Sequence, residues 1–576
     1  MSQLGEILSG LDKDRSLAAY AAAARKLRQL EPLPEFRAAI LANHTFDIET
    51  TLGVECARRG LGATFYQAGY DQVRQELLDP HSGLDAFHPD AVLISLHLES
   101  AFPAITTAPE LPDPSDWLAS TEAALQTFRA RSAAPVFLLD FIPPNESLFD
   151  WTAQINASLA RMAASIGSVY RIGAAALAAS SDLPAWRDAR LWYLARAGIN
   201  PKKFPVLAAR IARSFAALRR PAAKCLVLDL DNTLWGGVLG EAGPAGILCA
   251  DTDYPANAYA DFQRAVLALR ARGILLAVAS KNDEPLVEEA FRTRANMPLR
   301  REHISDWEVH WGPKPESLQR IAARLNIGLD SLVFLDDNPA EIDLMKMALP
   351  EVRAYRLPPR PEQFVEFLSQ LEDFDQLEIS AEDLRRAELY ELRKKQADMA
   401  AVATDLESFY RSLQTTVTAE PAGPANFDRI VQLTGKTNQF NLTTRRHDKA
   451  AFTARLASGS ELWAFRAADV HGDHGIIAVA LLDFDKAVAT IDTLLMSCRV
   501  IGRTIETAIL HFLECRALAR GASAIQGEYL PTTKNTPAAG FYGQHGFTNG
   551  GGSLWTKDLR TARTACPEWI TLCAQS

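Results

Sequence analysis

The sequence has no C-x-x-C pair, no excess of positive charge, no repeat or low-complexity tract, and no apolar run long enough to cross a bilayer. Its seven cysteines, Cys56, Cys225, Cys249, Cys498, Cys515, Cys566 and Cys573, are odd in number and widely spaced, which points away from a disulfide framework and from a zinc site. The formal net charge is -10, and basic residues cluster only in short pairs such as Arg219 and Arg220. That balance argues against a nucleic-acid partner, yet it leaves room for a locally basic site that holds a small phosphorylated molecule. The opening segment MSQLGEILSGLDKDR lacks a basic start followed by an apolar core, so the expectation is a cytoplasmic protein without a membrane partner.

What is present is ordinary globular composition, 48% hydrophobic and 23% charged, in a chain of 576 residues that exceeds what one core can organise. The expected fold class is multidomain α/β. Over residues 1–220, apolar runs at Ala39–Leu41, Ala91–Ile94 and Val136–Leu139 alternate with Ala-rich amphipathic stretches, a pattern that predicts a parallel sheet covered by helices. A second α/β unit is expected over 221–355. Its strands fall near Cys225–Leu228, Ile274–Ala279 and Leu332–Leu335, with a crossover helix over Glu316–Leu325. Residues 356–405 read as a helical connector, interrupted by Pro358, Pro359 and Pro361 and continuing as a long helix from a cap at Ser380. Mixed strand and helix follow over 406–560, and 561–576 reads as a tail.

The segment Cys225–Trp235 (CLVLDLDNTLW) carries the strongest chemical signal. Alternate side chains of a strand share a side, so Asp229 and Asp231 point together into the space beyond its carboxyl end, where open α/β sheets bind ligands. Asp229 is the candidate nucleophile, already ionised near neutral pH, and Asp231 the candidate general acid and then base. A phosphate approaching two carboxylates is repelled, so the chemistry calls for Mg2+. Asp229, Asp231, Asp336 and Asp337, with the backbone between the first two, supply oxygen ligands suited to that hard ion. Ser280 and Lys314 are candidates to bind the phosphoryl group, and Thr233 to order the loop beside it.

In order and spacing these residues resemble the four motifs of the haloacid dehalogenase superfamily of phosphotransferases. The bridge Trp235–Pro244, rich in glycine, resembles its FkbH-like branch in subfamily IIIC, and the likeness runs from roughly residue 35 to 560. That resemblance implies an enzyme that removes phosphate from 1,3-bisphosphoglycerate and loads the glyceryl unit as a thioester on the phosphopantetheine arm of an acyl carrier protein. It also implies an amino-terminal domain like the SGNH hydrolases. There Asn43–Asp47 stands where a Gly-Asp-Ser block would lie and no histidine follows Asp188 at the expected spacing, so binding is expected in place of hydrolysis. His44 and Asp47 are candidates for a remnant pocket, or for core and loop.

The loop Arg499–Thr504 before a helix over Ile505–Ala519 resembles the pyrophosphate loop of GNAT acyltransferases, with Thr504 in place of the last small residue. Asn535–Phe547 resembles the closing helix and strand of that fold. Arg499, Gly502, Arg503 and Asn535 are therefore candidates to bind the pantetheine arm. Cys498, just before the loop, is a candidate to carry the acyl group transiently or a small buried residue. The segment Gln432–Asn441 gathers Lys436, Asn438, Gln439 and Asn441, which suit a hydroxylated phosphorylated substrate or a structural network equally. Asp469, Asp473 and His474 include a possible base, or form a solvated turn. Two other activities stay open: a small-molecule phosphatase without carrier loading, and a coenzyme A-dependent N-acyltransferase with a vestigial phosphatase centre.

Overall fold

Strands buried on both faces need no alternation of polar and apolar residues, and the continuous aliphatic runs of this chain become the middle strands of parallel sheets. The computed structural model describes residues 3–103, 105, 110–379, 381–384, 390, 406–437, 440–470, 472–497, 500–501, 503–532 and 535–575. Packing divides the chain into Met1–Arg220 and Pro221–Ser576. Among the described residues no helix is long and apolar enough to cross a membrane.

The first unit has five parallel strands, β1 (Glu35–Ala42), β2 (Gly62–Gln67), β3 (Ala91–Ser95), β4 (Val136–Leu139) and β5 (Val169–Ile172), in the order β2-β1-β3-β4-β5. β3 and β4 are wholly buried, as their aliphatic composition predicts, whereas the edge strands β2 and β5 are partly exposed and carry no aliphatic run to announce them. The strand order reverses between β1 and β3, which puts a ligand-sized crevice beyond their carboxyl ends in folds of this kind.

The second unit begins with another five-stranded parallel sheet. It consists of β6 (Cys225–Leu228), β7 (Leu275–Ser280), β8 (Asp306–Val309), β9 (Leu332–Asp336) and β10 (Arg353–Arg356), ordered β10-β9-β6-β7-β8. The period of two sorts its core. Leu226, Leu228, Leu276 and Val278 pack on one face with Phe262 and Val266, and Cys225, Val227, Leu275 and Ala277 on the other with Leu318 and Ile321. Those last two come from the helix Lys314–Leu325, the crossover helix that the apolar spacing predicts. Phe364 and Leu368 of the helix Phe364–Gln370, together with Phe374, pack into the first of these cores. The sheet's own layer thus runs past residue 355, because those aromatic and aliphatic side chains have a face to bury. Of the long helix expected from Ser380, Ala381–Leu384 is helical and most of the rest lies outside the described residues.

A nine-stranded mixed sheet completes the unit. Its path is β17 (Thr548–Asn549), β18 (Leu554–Asp558), β16 (Ala524–Glu528), β15 (Val488–Met496), β14 (Gly472–Asp485), β13 (Glu461–Asp469), β11 (Thr415–Pro421) and β19 (Ile570–Ala574), with β12 (Phe440–Asn441) pairing β15. The helix Ile505–Ala519 lays Ile505, Ile509 and Leu513 into its core. β19 runs parallel to β11, so the segment expected to be a tail supplies an edge strand.

Candidate active site

The site grows from the carboxyl ends of β6, β7 and β9. After Leu228 the chain leaves the sheet, and Asn232 takes a left-handed backbone with φ 53°, a conformation asparagine tolerates better than most residues. Its side-chain oxygen accepts the Gly237 N–H at 3.0 Å, and the carbonyl of Leu230 accepts the N–H groups of Thr233, Leu234 and Trp235. This turn buries Leu234 and Trp235 and brings the indole N–H of Trp235 back to Asp231 Oδ1 at 2.8 Å. The backbone N–H of Leu239 donates to the same oxygen at 3.2 Å, and Asn282 Nδ2 donates to Asp231 Oδ2 at 3.1 Å.

Asp229, Asp231, Ser280, Lys314, Asp336 and Asp337 all line one cavity of about 420 Å³, together with Asn232, Lys281, Asn338, Pro339, Glu341 and Arg356. Asp229, Asp336 and Asp337 each offer an oxygen within 4.8 Å of the others. Lys314, 4% exposed, donates to Asp336 Oδ2 at 2.6 Å and lies 2.9 Å from Asp229 Oδ1 without the alignment of a hydrogen bond. Asp229 Oδ1 is accordingly buried with no hydrogen-bond partner. A buried anionic oxygen whose one counter-charge, Lys314, is shared with Asp336, and which faces two more carboxylates, fits a hard divalent cation such as Mg2+, which takes oxygen donors and accepts several negative ligands. Asp231 stands apart from that trio: its two oxygens already accept three donors, so its carboxylate departs from the metal-ligand role expected of it.

The electrostatics separate the carboxylates by role. Burial pushes the Asp231 carboxyl above its ordinary range, and Asp229 adds to this while the Trp235, Leu239 and Asn282 donors oppose it. A raised value suits a group that first delivers a proton. Burial and the neighbouring Asp229 raise Asp337, and they raise Asp336 to about 6 against the pull of Lys314. Burial opposes charge on Lys314, but Asp229 and Asp336 outweigh it and hold its ammonium more firmly protonated. Thr233 is fully buried, absent from the cavity lining, and its hydroxyl has no partner, so it supports the turn without touching a phosphate. Trp235, Asn282, Lys281, Glu341 and Arg356 were not singled out as site residues by sequence reasoning. Only the Ser280-Lys281-Asn282 run, directly after a strand, gave a signal that could have found two of them.

Only some of the carboxy-terminal candidates lie among the described residues. Cys498, Arg499, Gly502, Asn438 and Gln439 lie outside the described residues, and Lys436 is the last residue of a helix whose side chain there is not described. Asn535 is fully buried: its amide donates to the carbonyls of Asn441 and Leu530 at 2.9 Å each and its oxygen accepts the Thr532 N–H at 2.7 Å. Asn441, 1% exposed, donates to the Thr437 carbonyl at 3.2 Å and accepts the Thr444 N–H at 2.9 Å. Asn535 has spent both amide hydrogens on the fold and Asn441 is held by the backbone on both sides of its amide, so the structure places both in a structural network. Arg503 points inward, donating to Asp469 Oδ2 at 2.5 Å, so it braces the sheet and is not offered to a pantetheine arm. His474, 5% exposed, shares that oxygen at 2.7 Å, whereas Asp473 is exposed. The expected solvated turn is thus the joint of β13 and β14, with Asp469 and His474 buried and paired and Asp473 at the surface.

In the amino-terminal unit, His44 is buried beyond β1 with Nε2 2.9 Å from Ser95 Oγ and Nδ1 3.1 Å from the Thr45 carbonyl, while Asp47 is exposed. Burial lowers His44 to about 4. His97, beyond β3, is lowered to about 3 by burial and by His44 and Arg187.

No family model and no curated protein matches the chain. Among solved structures, it is similar to the N-terminal part of the protein BF1531 from Bacteroides fragilis, which contains a phosphatase domain and was crystallised with Mg. The TM-score is 0.54 and the identity 24%, over 62% of this chain and 98% of that one. Over 25% of its length it is similar to a GNAT-family acetyltransferase from Staphylococcus aureus, with a TM-score of 0.20, 12% identity and 99% of that chain covered. Over the same share it is similar to the ribosomal-protein-S18-alanine N-acetyltransferase from Escherichia coli, with a TM-score of 0.21, 12% identity and 96% of that chain covered. The likeness to the Bacteroides structure is one of fold, that of a multidomain α/β chain built on parallel sheets.

Proposed function

We propose that this protein is a Mg2+-dependent phosphatase coupled to acyl transfer, and that it removes the ester phosphate of 1,3-bisphosphoglycerate and delivers the glyceryl unit as a thioester to an acyl carrier protein. The observation that carries the phosphatase half is the convergence of Asp229, Asp336 and Asp337 on one buried spot, with a single ammonium, that of Lys314, against them. The Bacteroides neighbour's phosphatase domain and its Mg support the same reading. The transfer half rests on the FkbH-like bridge after Trp235 and on the GNAT-like loop before Ile505.

Asp229, Asp336 and Asp337 would hold the cation, which when bound draws negative charge off the phosphoryl oxygens and off the nucleophile. Asp229 attacks phosphorus and the ester oxygen departs with the proton that Asp231 supplies; Asp231 then takes a proton from the water that hydrolyses the aspartyl phosphate. Trp235, Leu239 and Asn282 hold Asp231 in place for both proton transfers. Lys314 and Ser280 hold the phosphoryl oxygens. The acyl phosphate at the other end of the substrate needs none of this, since a thiolate attacks its carbonyl carbon and expels phosphate directly.

The test is to incubate the full chain with Mg2+, 1,3-bisphosphoglycerate and a phosphopantetheine-bearing carrier protein, and to weigh the carrier intact. The expected result is a mass gain of one glyceryl unit, lost when Asp229 is replaced by Asn. Phosphate release without a gain in carrier mass would leave a plain small-molecule phosphatase, the reading favoured by the sealed state of Asn441, Arg503 and Asn535.

A further inference from the structure

The cavity beyond β6 contains one acidic group that this chemistry leaves unused. Glu341, in the first turn of the helix Pro339–Ala348, lines the cavity and is 9% exposed. Its Oε1 accepts from Lys281 Nζ at 2.6 Å, and its Oε2 is buried with no hydrogen-bond partner. It is not part of the carboxylate trio of Asp229, Asp336 and Asp337.

A buried carboxylate oxygen without a donor is costly, so its retention at the wall of a cavity points to a donor that arrives with the ligand. The identity of that donor follows from charge. Lys281 already balances Glu341, so the pair as a whole is neutral and gives a cationic ammonium no net attraction. A second anionic group of the ligand would be repelled by Oε2. A neutral alcohol O–H meets both conditions: it donates to the free oxygen and adds no charge.

We propose that Glu341 is a specificity-determining residue whose Oε2 accepts a hydrogen bond from a hydroxyl on the carbon skeleton of a phosphate ester. The proposal rests on the reading of this cavity as a phosphatase site. The substrate class is a phosphomonoester with a hydroxyl close to the phosphorylated carbon, because Glu341 shares the one cavity wall with Ser280, Lys314 and the Asp229 trio. Lys281 acts through Glu341 as a positioning residue, fixing Oε1 and leaving Oε2 as the oxygen without a donor.

The test is a minimal pair of esters, 2-hydroxypropyl phosphate and n-propyl phosphate, given to the full chain with Mg2+ while phosphate release is measured. A charge-assisted hydrogen bond to the hydroxyl predicts a kcat/KM preference of roughly 10- to 100-fold for the hydroxylated ester, carried mainly by KM. Glu341→Ala brings that ratio to about 1, and Glu341→Gln, which keeps the size of the side chain and replaces a charged acceptor by a neutral one, lowers it severalfold. Denaturation midpoints establish that each variant is folded, and Glu341→Gln serves if Glu341→Ala is not. A wild-type ratio near 1, with both esters hydrolysed, overturns the role of Glu341 and leaves the phosphatase reading standing. The same holds if the ratio survives in the folded variant. Absence of phosphate release from both esters and from p-nitrophenyl phosphate overturns the two together.

Discussion

The two parallel sheets of this protein meet the same topological opportunity with opposite chemistry. Beyond β1 and β3 the first sheet places neutral polar groups, and His44 and Ser95 bond to each other while Asn43 accepts the His97 N–H at 2.6 Å. Beyond β6 and β9 the second sheet places Asp229, Asp336 and Asp337, whose repulsion Lys314 relieves only in part. The two edges thus differ in concentrated like charge: among the described residues only the second gathers three carboxylates close enough to share an ion. Like charge gathered in this way costs stability, which is the pattern expected where a cation and a phosphate are to be bound.

Four measurements sharpen or break that contrast. The largest effect is expected from Asp229→Asn, which should lower phosphate release by roughly 10^4- to 10^6-fold, as loss of a nucleophile does, with no loss in denaturation midpoint because it removes a repelling charge. Substitution of Lys314 by Met leaves Asp229 and Asp336 without their buried counter-charge and should destabilise by about 3–5 kcal/mol in urea. Saturating Mg2+ should narrow that loss; a neutral substitution would deny the carboxylates any mutual strain.

The first unit should respond to acid instead. His44 is neutral in the fold down to about pH 4, while in the unfolded chain it takes a proton below its ordinary value of 6.5. The unfolded state binds more protons in that window, so stability is full above pH 6.5 and is lost as pH falls towards 4, by roughly 3 kcal/mol from this group. Hydrogen exchange of the Met1–Arg220 unit in the full chain, read from pH 7 to 4, should show this slope, and His44→Asn should flatten it. The smallest effect is that of the metal: Mg2+ at 100 times its dissociation constant should stabilise the second sheet by about 2.7 kcal/mol in the wild type, and not in Asp336→Asn or in the first unit.

The six cavity residues Asp229, Asp231, Ser280, Lys314, Asp336 and Asp337 were readable because five of them directly follow apolar strands and the sixth opens an amphipathic helix. β8 was hidden for the converse reason. Its sequence, DWEV, buries Asp306 and Glu308, which become tolerable only where Arg324 lies 2.9 Å and 2.6 Å from them and Arg320 2.8 Å from Glu308. The structural roles of Asn441 and Asn535 were not legible because amide side chains look alike whether they face a ligand or the backbone.

By itself the sequence determined the strands buried on both faces and the polar residues at their ends, because hydrophobic patterning along a chain is a local property. The tertiary structure alone decided which polar atoms keep a partner and which do not. Partners such as the Trp235 indole for Asp231, the Asn441 carbonyl for the Asn535 amide and Lys281 for Glu341 come from different turns, strands and helices, and satisfaction of a hydrogen bond is a property of distance and angle that no residue type carries in advance.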